Sequence, residues 1–113
     1  MIKKENRLKK SRYIKRCFDK GKGINTPFFK LRSFKRIDRA ENAPSRIAVI
    51  LSKKFSKLAV KRNLARRRIQ AAFREDLKNC PGFDIVILPN RRVLECDFSD
   101  LQGEAKKCLD ILR

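Results

Sequence analysis

Residues 53–74, KKFSKLAVKRNLARRRIQAAFR, carry nine lysines or arginines and no acidic residue. Most of this stretch is spaced as a helix, with basic groups along one edge and apolar groups along another. A helix collects such charge only where a polyanion neutralises it or where the rest of the chain tolerates it. Here the rest is basic too: 31 Lys and Arg stand against 12 Asp and Glu, a formal charge of +19 over 113 residues. Repulsion on that scale opposes compaction, and an anionic partner would relieve it. The charge therefore favours a nucleic-acid binder.

A hydrophobic fraction of 42% is too high for a disordered basic tail, and the length suits one domain with a modest core. Residues 1–10 read as a basic tail and residues 11–113 as a single RNA-binding domain. No apolar run approaches membrane-spanning length, so no membrane partner is expected. The start, MIKKENRLKK, is basic but is not followed by an apolar segment; it is no secretory signal, and a cytoplasmic location is expected. Cys17, Cys80, Cys96 and Cys108 form no C-x-x-C pair, and the chain has no histidine. They are expected to be small buried hydrophobes in a reducing compartment, with no metal bound. Without histidine neither a Ser-His-Asp nor a Cys-His arrangement can exist. The acids are dispersed among bases that hold carboxylates ionised, which suits ion pairs better than a general acid. No catalytic residue is expected, and any catalysis must draw its chemistry from elsewhere.

Along the chain, residues 11–20 read as a short helix, with Ser11 as N-cap, Ile14, Cys17 and Phe18 on one face, and Gly21 as the stop. Residues 21–27 read as a loop. FFKLRSFKRI, residues 28–37, alternates as a strand. One face carries Phe29, Leu31, Ser33, Lys35 and Ile37. The other carries Phe28, Lys30, Arg32, Phe34 and Arg36, interleaving aromatics with cations as a surface for unpaired bases and their phosphates would. The same pattern also fits a half-exposed strand with solvated cations.

After a polar turn at 38–45, RIAVILS at 46–52 is apolar on both faces and reads as a central strand, close enough to the preceding strand for an antiparallel hairpin. The basic helix is expected over 56–78, with Ser56 as N-cap, ending before Asn79-Cys80-Pro81-Gly82. FDIVILP at 83–89 reads as a second doubly buried strand, parallel to 46–52 and adjacent or nearly so. Ser99 and Gln102 resemble a capping box for a last helix that buries Leu101, Ala105, Cys108, Leu109 and Leu112. The fold class is α+β, a small mixed sheet with packed helices.

Within the basic helix, Leu58, Ala65, Ile69, Ala72, Phe73 and Leu77 share a side, as do Arg62 and Arg66. Unpaired cations cannot be buried at acceptable cost. The helix is therefore expected to pack through its C-terminal half. Its N-terminal half overhangs and presents Lys57, Lys61, Arg62, Arg66 and Arg67. Asn63 stands among them, able to read an RNA edge or to bond locally near the helix start.

Ser52-Lys53-Lys54, Ala59-Val60-Lys61-Arg62-Asn63, Arg66-Arg67 and Ala72-Phe73-Arg74 closely resemble the signature of the bacterial ribonuclease P protein component. Asn6-Arg7-Leu8-Lys9-Lys10, Phe18, Lys20-Gly21, Phe29 and Phe83-Asp84-Ile85-Val86-Ile87 match in the same order, so the resemblance covers residues 6–112. It implies an α-β-β-β-α-β-α fold like the second domain of ribosomal protein S5, with a left-handed β-α-β crossover instead of the usual right-handed one. It implies as partners the catalytic RNA of ribonuclease P and precursor transfer RNA, whose 5′ leader the holoenzyme removes. Magnesium is expected at the RNA active site and no cofactor on the protein alone.

Carried over position by position, Lys53, Lys54, Arg62, Asn63, Arg66 and Arg67 match the positions that face the catalytic RNA, and Phe18 matches an aromatic near the leader. Lys57 and Lys61 join the first group by their place in the helix; Phe28, Lys30, Arg32 and Phe34 join the second by their strand face. Leu64 departs from the second Arg of the family's Arg-Asn-Arg core, and Gln70 replaces a frequent Arg; Arg68 is a candidate to compensate. Ile14 and Arg32 stand where the family often has aromatics. The alternative is a ribosomal-protein-like RNA binder or RNA chaperone with no part in cleavage. A DNA-binding helix-turn-helix is disfavoured, because strands flank the basic helix.

Overall fold

The computed structural model describes residues 4–36 and 43–112. Its elements are α1 (Ser11–Lys20), β1 (Lys22–Asn25), β2 (Phe29–Lys35), β3 (Arg46–Val49), α2 (Ala59–Arg74), β4 (Phe83–Pro89) and α3 (Phe98–Leu112), with short 3-10 turns at Lys4–Asn6, Asp76–Asn79 and Arg91–Leu94. The order reproduces the α+β expectation. Ile37 and most of the polar turn expected at 38–45 lie outside the described residues.

The sheet runs β1-β2-β4-β3. β4 is antiparallel to β2, from Phe29 opposite Pro89 to Lys35 opposite Phe83, and parallel to β3, with Ile47 opposite Ile85. The parallel β3–β4 pair was legible from the apolar runs. The hairpin expected between β2 and β3 does not form: β4, the last strand in sequence, inserts between them and takes both sets of backbone bonds. Of these strands β4 is the one whose side chains are buried most continuously on both faces, from Asp84 to Ile87, so the centre is where it loses least.

The loop expected at 21–27 is likewise corrected, since Lys22–Asn25 pairs with β2. The connecting turn is set by Thr26, whose hydroxyl accepts from the amides of Phe28 and Phe29 at 3.2 and 3.0 Å. β1 is short and carries a lysine, as a protected edge strand does, and such a segment gives little periodicity to read. Gly21 does stop α1, with its amide bonded to the Cys17 carbonyl at 3.0 Å. The reason is space: a Cβ there would come within 2.2 Å of Cys17 O and 2.5 Å of Ser33 O.

Two layers of side chains flank the sheet. On one face, Phe29, Leu31, Ile47, Ile85 and Ile87 pack with Ala65, Ile69, Ala72 and Phe73 of α2 and with Leu101, Ala105, Cys108 and Leu109 of α3. On the other, α1 and the N-terminal segment cover Val86 with Cys17, Leu8 and half-buried Tyr13, Ile14 and Phe34. Leu8 donates its amide to Ile47 O at 3.0 Å, so this segment lies along the outer edge of β3. Burial holds the thiols of Cys17 and Cys108 in the neutral form by pushing their pKa up to about 11, helped by the negative charges of Asp84 and Glu104 respectively.

Helix starts differ from the sequence signals. Lys10, not Ser11, precedes α1, and it offers no side-chain cap. α2 begins at Ala59 after an extended Leu58, because the Ser56 hydroxyl is used in a turn to the Leu58 amide at 3.1 Å. α2 ends at Arg74, and Leu77 reaches the core from the following 3-10 turn. α3 starts at Phe98, which places Ser99 inside the helix and not at its cap.

The second layer is tied together by one carboxylate. Asp84 on β4 is fully buried. It accepts from Arg46 at both oxygens, each at 2.8 Å, and from Arg16 at 3.2 Å, and Arg36 Nε stands 3.9 Å away. Those arginines come from β3, α1 and the end of β2. Replacing Asp84 by Ala removes their shared counter-ion and leaves buried cations facing one another; the expected cost is about 3–5 kcal/mol. Urea unfolding of Asp84→Ala checks this, and a loss under about 1 kcal/mol would show that the cluster is not structural.

Candidate nucleic-acid interface

α2 divides in the way its sequence requires. Its buried residues are Ala65, Ile69, Ala72 and Phe73, so nothing before Ala65 enters the core. The overhanging half exposes Lys61 and Asn63, and beyond it Arg67; Lys53, Lys54 and Lys57 are exposed on the connection leading in from β3. Leu58 does not join the packed side: it is 59% exposed, with Val60 at 76% and Leu64 at 41%. The surface thus alternates cations with uncovered apolar groups, because a helix that overhangs a sheet has nothing to pack them against.

Two of the expected contacts are partly committed within the chain. Arg62 donates Nη1 to the Ser56 carbonyl at 2.7 Å, which closes the loop before the helix. Arg66 donates Nη1 to Asn63 Oδ1 at 3.3 Å, so the Asn63 amide nitrogen remains to donate outward. Both arginines are half-buried and keep other donors free. Arg68 does not replace the arginine missing at Leu64. Its guanidinium turns to the Cys96 carbonyl and pins the 95–97 connection to α2.

Beside this surface, at the C-terminal ends of parallel β3 and β4, is a cavity of about 360 Å³ lined by Ile50, Ser52, Lys54, Phe55, Leu88 and Arg91 among others. Sequence reasoning missed it as a site. The signal was available in principle, because two adjacent parallel strands ending together leave a crevice beyond their carboxyl ends.

The strand-face residues do not act as one set. Arg32 is directed to the end of α1, where it donates to the carbonyls of Cys17 at 3.3 Å, Phe18 at 2.8 Å and Gly21 at 3.0 Å. It caps the negative helix terminus. Phe34 has the Arg16 guanidinium 4.2 Å from its ring centroid, so that cation and aromatic satisfy each other. Arg36 is buried against Asp84, and Phe28 packs at the margin of the main core. Of the residues expected to meet the leader, those left accessible are Phe18, 39% exposed, and Lys30. The part of this face beyond α1 is open, with Ile50 and Leu88 half-buried, and it runs toward the cavity by Lys54.

A family model described as Ribonuclease P matches residues 2–113. Among curated proteins, the ribonuclease P protein component of Rippkaea orientalis is 34% identical over 110 residues, covering 96% of this chain and 87% of that relative. The one from Cyanothece sp. is 31% identical over 122 residues, covering 96% and 93%. Among solved structures, the RNase P protein from Thermotoga maritima superposes with a TM-score of 0.77 at 26% identity, covering 95% of this chain and 97% of that one. The Staphylococcus aureus RNase P protein shares the fold with a TM-score of 0.78 at 22% identity, covering 97% of each.

Arg32→Ala should free the last turn of α1 and cost about 2 kcal/mol, since charge-assisted bonds to backbone carbonyls are lost together. Hydrogen exchange of the Phe18 to Gly21 amides checks it: unchanged protection would show that α1 holds its end without Arg32.

Proposed function

This chain belongs to the ribonuclease P protein component family, a protein subunit of the ribonucleoprotein endoribonuclease that acts with an RNA partner in 5′ processing of transfer RNA, and from that premise we propose how its residues work. The overhanging half of α2 and the preceding connection, with Lys53, Lys54, Lys57, Lys61, Arg62, Asn63, Arg66 and Arg67, bind the catalytic RNA. The open part of the opposite sheet face, entered past Phe18 and Lys30, takes the single-stranded 5′ leader of precursor transfer RNA. Phe28, Arg32 and Phe34 shape that groove chiefly by holding α1 and the sheet.

The observation that carries this reading is the unburied first half of α2. Seven cations there and on the connection leading in, Lys53, Lys54, Lys57, Lys61, Arg62, Arg66 and Arg67, have no carboxylate in ion-pair range among the described residues. An RNA backbone supplies the missing negative charge, and release of its counter-ions drives the binding.

Cleavage chemistry belongs to the RNA in this reading. The chain has no histidine, and Asp84, its deeply buried carboxylate, is already bonded to Arg46 and Arg16. Among the described residues no three His, Cys, Asp or Glu are grouped to hold a metal ion, and in this reading magnesium acts at the RNA active site. No helix among those residues is long and apolar enough to cross a membrane. We place the protein in the cytoplasm, where transfer RNA is processed.

Added to bacterial ribonuclease P RNA at low magnesium, the protein should stimulate precursor cleavage; an RNA chaperone or ribosomal protein would not. Arg66→Ala should flatten the salt dependence of RNA binding by about 0.7–0.9 in log–log slope, and an unchanged slope would make Arg66 purely structural. Phe18→Ala should slow cleavage of a long-leader precursor while leaving affinity for the catalytic RNA intact. Equal losses in both would point to a folding defect.

A further inference from the structure

α1 begins with a second concentration of charge, on the other face of the sheet from α2. Around the ring of Tyr13 stand Arg46 with its guanidinium carbon 4.6 Å from the ring centroid, Arg12 at 4.8 Å, Arg16 at 5.1 Å and Lys10 Nζ at 5.9 Å. Arg16 and Arg46 share Asp84, whereas Lys10 and Arg12 form no ion pair among the described residues. Both of these side chains are exposed. The amino end of the helix adds its own positive potential, and no side chain caps it.

The charged groups turned outward here are all donors. Arg12 Nη2 donates to Tyr13 Oη at 3.0 Å, so the phenol oxygen has accepted its bond and keeps its proton to give. That bond and the nearby Arg12 charge also hold the Tyr13 pKa below its ordinary value, with Lys10 and Arg46 adding to the effect. A surface dominated by cationic donors, with no carboxylate in ion-pair range of Lys10 or Arg12 among the described residues, is complementary to phosphate oxygens. It reads charge and leaves base identity unread.

We propose that Lys10, Arg12 and Tyr13, backed by Arg16 and Arg46, form a second contact for an RNA phosphodiester backbone, separate from the α2 surface. It rests on the reading that the protein works bound to RNA. Arg46 opens β3, whereas Lys53, Lys54 and Lys57 follow its far end, and α1 and α2 cover opposite faces of the sheet. The two surfaces therefore face apart, and a folded RNA must reach them with different segments. That RNA is either the catalytic RNA or the precursor, which share this chemistry.

The test is a salt series of binding in two arms, wild-type against the double variant Lys10→Gln/Arg12→Gln. One arm titrates the protein with bacterial ribonuclease P RNA; the other titrates the reconstituted holoenzyme with precursor transfer RNA. The log–log slope should fall by about 1.4–1.8 in one arm, which identifies the RNA bound. Tyr13→Phe should weaken affinity in the same arm at an unchanged slope, and Arg12→Lys, which keeps the charge, should retain the wild-type slope. Both substituted side chains are exposed, so melting temperatures should match wild type. If the double variant keeps the wild-type slope in both arms while Arg66→Ala lowers it, this inference is overturned and the α2 reading stands. Should Arg66→Ala leave the slope unchanged as well, both fail.

Discussion

The side of the sheet that carries α1 depends on a single buried negative charge. Asp84 sits in a strand otherwise made of apolar residues, and taking a carboxylate out of water is costly unless cations meet it. Arg46 meets it with a two-pronged bond, and Arg16 and Arg36 close the remaining sides. This arrangement fixes more than a charge balance. It ties α1, the start of β3 and the residue that follows β2 to β4. Arginine suits the task because its planar fork reaches the carboxylate while its flat face lies on Tyr13 and Phe34.

The positive charge of this protein therefore has two populations. Several arginines turn inward: Arg16, Arg36 and Arg46 to Asp84, Arg32 to the end of α1, Arg68 to the Cys96 carbonyl, Arg91 to the Phe55 carbonyl. The lysines at 53, 54, 57 and 61 remain in solvent. Net charge counts both alike, yet in the proposed reading the outward set is what meets an RNA, and the inward set positions the elements that carry it.

Much of the fold was legible because apolar spacing is a local property. α1, β2, the C-terminal half of α2, β4 and α3 each announce the face they bury. Strand order was not legible, since the choice between a β2–β3 hairpin and β4 in the middle is made by contacts far apart in sequence. β1 was too short and too polar to register. For the site, the split of α2 followed from the cost of burying Arg62 and Arg66. Alternation along β2 told which way Phe34 and Arg32 point, but could not tell what stands over them. Arg16 over Phe34 and the α1 terminus over Arg32 are facts of packing. One signal was readable and passed over: an aspartate within FDIVILP requires cations from elsewhere, in a chain with many to offer.

The central place of β4 has a consequence for how the protein is made. Residues 83–89 leave the ribosome after every other strand, so until then the sheet consists of the β1–β2 hairpin and a β3 that lacks its partner strand. Arg16, Arg36 and Arg46 all emerge before the carboxylate that neutralises them. The nascent chain is thus a polycation with exposed apolar strands, and sheet closure awaits one late segment pairing on both sides at once. Such long-range pairing is slow and cooperative. Truncations that stop short of Pro89 would leave no partly built domain, only a basic chain unable to close its sheet.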